Sequence, residues 1–118
     1  MTKKQIGNYG EDKACQFFIK KGYEILERNW RTRSGEIDII LKKADLIVFV
    51  EVKTLPNCTI DMLKRVLNQQ KLKRILKTSK RFLLNHRQYS SDYVRFDVVI
   101  IDMPGFDSVY HIENAFTE

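Results

Sequence analysis

Three charged side chains stand where a strand pattern calls for apolar ones. Asp38 interrupts Gly35-Glu36-Ile37-Asp38-Ile39-Ile40, and Glu51 and Lys53 interrupt Phe49-Val50-Glu51-Val52-Lys53. Glu51 and Lys53 are two residues apart and so share a face of their strand. Between the two runs lies Lys42-Lys43-Ala44-Asp45, which reads as a four-residue hairpin turn. If the turn is symmetric, Leu41 pairs with Leu46, and Asp38 stands opposite Phe49 and diagonal to Glu51. The two carboxylates then lie about 7 to 8 Å apart on one face. A slip of one residue would send them to opposite faces.

A third carboxylate joins them by helical phase. From about Asn8 to Lys20, Ala14, Cys15, Phe18 and Ile19 form an apolar stripe, and Glu11 falls between Ala14 and Cys15, one turn before Phe18. A carboxylate in an apolar stripe needs a partner. Asp38, Glu51 and Glu11 together suit a hard divalent ion such as Mg²⁺, with Mn²⁺ as a substitute, which takes oxygen ligands and keeps several waters. Lys53 beside such an ion would neutralise charge on a pentacovalent phosphate or assist an attacking water. The chemistry implied is hydrolysis of a phosphodiester. The competing reading is an ion-pair ladder of Asp38, Glu51 and Lys53 on a wet sheet face, the better expectation for an isolated E-x-K. It leaves unexplained why Glu11 sits in a stripe that must pack on the sheet.

The distribution of charge points the same way. With 21 basic and 15 acidic residues the chain carries +6, a balance that favours polyanionic partners. From Asn68 to Arg87 there are seven Lys and Arg and no acid, leaving the remainder of the chain at −1. Lys73, Lys77, Lys80 and Arg81 cluster opposite the apolar stripe of this segment, on a face that could meet phosphates.

The elements that must position these groups follow from periodicity. Gly22 ends the first helix, and strand-like runs cover Tyr23 to Asn29, Ile37 to Leu41 and Leu46 to Thr54. Beyond Pro56, Leu63, Val66 and Leu67 form a short apolar set; Leu72, Ile75, Leu76, Ser79, Phe82 and Leu83 form a longer one. Running the two together would bury Lys64 and Arg65, so the long helix is expected to start near Gln69 with Asn68 as its N-cap. Strands from Tyr93 to Asp102 and Val109 to Ile112 flank a turn at Pro104-Gly105. The order αβββαββ predicts an α/β sandwich around a mixed sheet.

At 118 residues, 43% hydrophobic and 31% charged, the chain is expected to form one domain over 1–118 that buries roughly two-thirds of its unfolded surface. Two cysteines, Cys15 and Cys58, are too few for a disulfide scaffold or a four-ligand zinc site, and Cys15 belongs to the core stripe. No secretory h-region or bilayer-length apolar run is present, so a cytoplasmic protein without membrane association is expected.

Asp38, twelve intervening residues and then Glu51-x-Lys53 resembles the pattern of the PD-(D/E)xK nuclease superfamily. Gly10-Glu11 resembles the first-helix glutamate of its Holliday-junction resolvases. More closely, Gly7-x-x-Gly10-Glu11, Asn29-Trp30-Arg31-x-Arg33-x-Gly35-Glu36-Ile37-Asp38, Phe49-Val50-Glu51-Val52-Lys53-Thr54, Lys71 and Arg95-Phe96-Asp97-Val98-Val99 resemble the YraN-like family over nearly the whole chain. The resemblance implies a restriction-endonuclease-like three-layer sandwich. It assigns Asp38 and Glu51 as metal ligands, Glu11 as an accessory ligand, Lys53 as the catalytic lysine and Lys71 as a substrate contact. It implies a Mg²⁺-dependent endonuclease selecting nucleic acid, DNA before RNA, by structure; the alternative is a non-catalytic nucleic-acid-binding module on the same fold. A symmetric dimer would suit a junction. After Thr54 the family usually continues with an arginine and a loop containing Phe-Gly, where this chain reads Leu55-Pro56-Asn57-Cys58.

Other residues carry weaker expectations. Trp30 with Arg31 and Arg33 is evenly divided between stacking on a base and anchoring the core. His86 and His111 are expected in surface or capping roles. Asp97 is expected to be structural, paired with Arg95.

Overall fold

The computed structural model describes residues 1–57, 59, 61, 65 and 68–116. Helix α1 (Lys3–Lys20) opens on a capping box: the Thr2 hydroxyl accepts from the Gln5 amide, and the Gln5 side chain accepts from the Thr2 amide. It therefore begins five residues before the expected start, because its first turns rest on this cap rather than on the apolar stripe. Gly22, at φ +89°, ends it. Ile19, expected in the stripe, is exposed.

Three antiparallel strands follow as a meander, β1 (Glu24–Thr32), β2 (Gly35–Lys43) and β3 (Leu46–Thr54). Helix α2 (Gln69–Asn85) then carries the chain across to β4 (Tyr93–Ile101), which pairs parallel to β3, and β5 (Val109–Ile112) closes the other edge antiparallel to β4. The sheet order is β1-β2-β3-β4-β5, mixed as expected, with the parallel pair demanding the long crossover. On one face Ala14, Cys15 and Phe18 of α1 pack on Ile39, Leu41, Val48, Val50, Val99 and Ile101. On the other, Ile75 and Phe82 of α2 pack on Ile40, Ile47, Phe49 and Phe96. The result is the αβββαββ three-layer sandwich of the restriction-endonuclease-like kind.

The β2–β3 register differs from expectation. The turn is two residues long, Ala44-Asp45, with Lys43 opposite Leu46 and Leu41 opposite Val48. Ala44 adopts φ 53° to make it. A shift of two residues preserves which side chains share a face, and it brings Asp38 level with Glu51 rather than Phe49. β1 runs three residues past its expected end at Asn29, and Trp30 sets its ring edge-on to Phe82 at 5.3 Å. Trp30 is thus a core anchor. β4 ends at Ile101, one residue early, because Asp102 turns to φ 59° and takes bonds from Tyr9 Oη at 2.6 Å and Lys13 Nζ at 2.9 Å. The Asn68 cap is present, its side chain accepting from the Lys71 amide at 2.9 Å. The short apolar set at Leu63, Val66 and Leu67, with Lys64, lies outside the described residues, as does Cys58. Among the described residues no helix is long and apolar enough to cross a membrane.

Candidate active site

The β2–β3 ladder stops at Ile39 opposite Val50, and Asp38 fills the place where the strands part. Its Oδ2 accepts from the Val52 amide at 2.8 Å, so the carboxylate is held by a backbone group the ladder would otherwise have used. Ile37 and Ile39, two apart, pack in clusters on opposite sheet faces, so the face alternation of β2 is interrupted at Asp38. Asp38, Glu51 and Lys53 line a cavity of about 540 Å³. Lys71 and Arg74 close it from α2, and Gly7 and Glu11 from α1. The helix reaches this close because residue 10 is glycine: a Cβ there would collide with Thr54 Oγ1 at the end of β3.

The electrostatics are uneven. Glu51 is buried between two ammonium groups, Lys71 Nζ at 2.7 Å and Lys53 Nζ at 3.5 Å. Among the described residues Asp38 has no ion-pair partner, and burial, reinforced by the neighbouring Glu51 charge, pushes its carboxyl up to about 8. Burial, and then the adjacent Lys71, lowers Lys53 below the usual ammonium range. For Lys71 burial is again the largest influence and lowers the group, but the bonds to Glu51 and Lys53 and the charges of Glu51 and Asp38 together outweigh it and raise the group. Glu11 is buried, as its place in the stripe required, and its partners are Asn29 Nδ2 at 3.0 Å and the Arg28 guanidinium at 3.5 Å.

Glu11, Asp38 and Glu51 line the same cavity, yet among the described residues no group of three or more His, Cys, Asp or Glu side chains could hold a metal ion. Mg²⁺ is commonly held by one or two carboxylates and several waters. Asp38 and Glu51 match that donor set, and a cation placed there would offset the charge that burial and Glu51 oppose at Asp38.

The basic candidates divide into two places. Lys71 belongs to the carboxylate cavity. Arg33, Lys77 and Arg81, with Lys80, line a separate groove of about 730 Å³ between the β1–β2 turn and α2. Lys73 is exposed and lines neither, and Arg31 points to Glu36 at 3.4 Å. Sequence reasoning passed over Arg74, whose signal was its position three residues after Lys71, on the same side of α2.

Asp97 is fully buried and structural, as expected, and its partners are more numerous than Arg95. His111 Nε2 lies 2.6 Å from it, and the Asn114 amide donates at 3.0 Å. Burial works against the Asp97 charge, but these bonds hold its carboxyl below the usual range. His111 is therefore not a surface residue: it pairs with Val99 across the β4–β5 ladder and packs against Phe17 and Phe18. His86 does cap α2, with Nδ1 2.8 Å from the Phe82 carbonyl.

Comparison with known proteins matches residues 10–101 to the model described as "Uncharacterised protein family UPF0102". A UPF0102 protein of Treponema denticola is 41% identical, over 94% of each chain. One from Caldicellulosiruptor bescii is 43% identical over 95% of this chain and 94% of its own, and one from Treponema pallidum is 40% identical over 98% and 94%. With the family model spanning most of the chain and relatives matching nearly end to end, this protein belongs to the UPF0102 family, the YraN-like family that its motifs resemble.

Proposed function

We propose that the protein is a metal-dependent endonuclease of the PD-(D/E)xK kind, hydrolysing phosphodiester bonds of nucleic acid, DNA before RNA, by structure rather than base sequence. The observation that carries this reading is the meeting of Asp38, Glu51 and Lys53 in one cavity where β2 and β3 part. Asp38 and Glu51, with Glu11 as an accessory, would hold Mg²⁺ or Mn²⁺, which when bound activates water and offsets phosphate charge. The Val52 amide fixes the direction of the Asp38 carboxylate. Lys53, held at the cavity by β3, stabilises negative charge developing on the phosphate, and its lowered proton affinity suits a proton transfer. Lys71 and Arg74 hold the phosphate from the α2 side. A cytoplasmic location, where nucleic acid is at hand, fits this role, and a symmetric dimer would offer two cavities to a branched substrate.

A second reading is a non-catalytic nucleic-acid-binding module, and the 2.7 Å contact of Lys71 with Glu51 favours it, since a filled carboxylate is a poorer ligand. A panel of branched, flapped, duplex and single-stranded substrates, with Mg²⁺, Mn²⁺ or EDTA, separates the two. The enzyme cuts only with the ion. Lys53→Met then loses about 10²- to 10³-fold in rate while keeping its Mg²⁺ affinity, and Glu51→Gln loses both. Binding without cleavage in every arm leaves the module; neither binding nor cleavage sinks both readings.

A further inference from the structure

The groove beside the carboxylate cavity has a composition that the proposed chemistry does not require. Arg33 with Thr32 and Ser34 forms one wall, and Lys77, Lys80 and Arg81 of α2 form the other. Among the described residues no carboxylate lines it. Several cations elsewhere are matched: Lys13, Arg28, Lys42 and Arg95 each lie against an acid. Among the described residues Arg33, Lys77 and Arg81 have no such partner. Like charges gathered without a counter-charge repel one another, and a polyanion relieves that repulsion while releasing its own counterions.

The spacing of the groove is set by neutral groups. Ser34 Oγ lies 3.0 Å from Thr78 Oγ1 and 2.7 Å from Thr32 Oγ1, and the Thr78 hydroxyl donates to the Arg74 carbonyl. Thr78 is fully buried. A Cβ on Gly35 would stand 3.2 Å from Thr78 Oγ1, so the glycine lets the turn sit down on the helix. The turn that carries Arg33 is thereby held opposite the Lys77–Arg81 row.

Among the described residues no aromatic ring lines the groove, and Phe82 and Trp30, the rings nearest to it in sequence, pack against each other. Sites for single strands pair a basic channel with rings on which bases stack; here there is charge without a stacking platform. Such a surface recognises a backbone whose bases are already stacked on one another. The groove lies beside the carboxylate cavity: Arg74 and Gly35 line the cavity, and Lys77, one turn along α2, and Ser34, next in sequence to Gly35, line the groove. From Arg74 to Arg81 the helix rises about 10 Å, close to about three nucleotides along one strand of B-DNA.

Resting on the endonuclease reading, we propose that this groove seats the sugar-phosphate backbone of a double-stranded segment about three nucleotides from the bond placed at Asp38 and Glu51. The test is fluorescence anisotropy of the full chain in EDTA, with a labelled duplex and a single strand of equal length, across a salt series. The duplex is expected to bind at least about tenfold tighter. Lys77→Ala with Arg81→Ala should reduce the log–log salt slope by about 2 without lowering the melting temperature, whereas Lys20→Ala with Lys21→Ala at the end of α1 should keep the slope. A single strand bound as tightly as the duplex, or a slope unmoved by the groove pair, overturns the proposal. A chain that cuts duplex with that slope unmoved loses the groove and keeps the endonuclease; one that binds duplex through the groove and cuts nothing supports the groove and removes the endonuclease.

Discussion

Lys71, not Lys53, makes the close contact with Glu51: its ammonium lies 2.7 Å from the carboxylate, against 3.5 Å for the lysine two residues along the same strand. The E-x-K pair that draws attention in the sequence is the looser of the two. The tighter one crosses from β3 to α2 and ties the helix to the site.

This contact predicts competition between lysine and metal. Lys71→Met should raise Mg²⁺ affinity about five- to tenfold, since it removes a cation worth about 1 kcal/mol at the ligand, and should lower the melting temperature of the metal-free chain. Calorimetric titration of parent and variant reads both, and a weaker Mg²⁺ affinity in the variant would make Lys71 a supporter of the ion rather than its rival.

Asp38→Asn should stabilise the metal-free protein by about 0.5 to 2 kcal/mol. The amide oxygen can still accept from Val52, while the charge that burial and Glu51 oppose is gone. Added Mg²⁺ should then stabilise the parent and not the variant. An ion-pair ladder reverses these signs, so a destabilised, metal-indifferent Asp38→Asn in thermal melts removes the metal site.

Gly10→Ala places a methyl group against Thr54 Oγ1, so α1 must back away from β3 and take Glu11 with it. A loss of about 1 to 3 kcal/mol is expected. Thr54→Ala should recover most of it, because the obstructing oxygen is then absent; denaturant melts of the two single variants and the double form a cycle whose coupling should be clearly non-zero.

Asp97→Asn should cost about 3 to 5 kcal/mol, leaving Arg95 and His111 without their anion. Because the folded carboxyl titrates below its unfolded value of about 3.9, the unfolded chain binds more protons in that window. Stability then rises with pH through it. The difference between parent and variant should be complete at neutral pH and shrink as the pH falls below about 4. Urea midpoints across that range test it, and a difference that grows in acid contradicts the pairing.

The candidate site was legible because Asp38, Glu51 and Glu11 each break an apolar pattern, and burial of Glu11 and Glu51 follows from that placement. The register was not. Lys42 and Lys43 look like turn residues, yet both extend β2, with their ammonium groups over the rings of Tyr89 at 5.8 Å and Tyr23 at 5.0 Å. Lysine stems covering aromatic faces are compatible with a strand, and nothing local distinguishes them from solvated turn lysines. The start of α1 was visible as Thr2-x-x-Gln5, a capping box outweighed by the apolar phase that begins later. His111 was hidden because its partner, Asp97, lies 14 residues away on the neighbouring strand.

The strand pairings also differ in how far apart their partners lie along the chain. β1, β2 and β3 form by local closure, with Thr32 facing Gly35 and Lys43 facing Leu46, whereas each residue of β3 meets a β4 partner 47 positions later. Local loops close fast, and pairings of large sequence separation form late because chain entropy is lost before contacts return it. The expected order of assembly is the meander first and the parallel strand last. Asp38 and Glu51 would then become neighbours before α2 brings Lys71 to Glu51, and until β4 arrives the future centre of the sheet is an open edge.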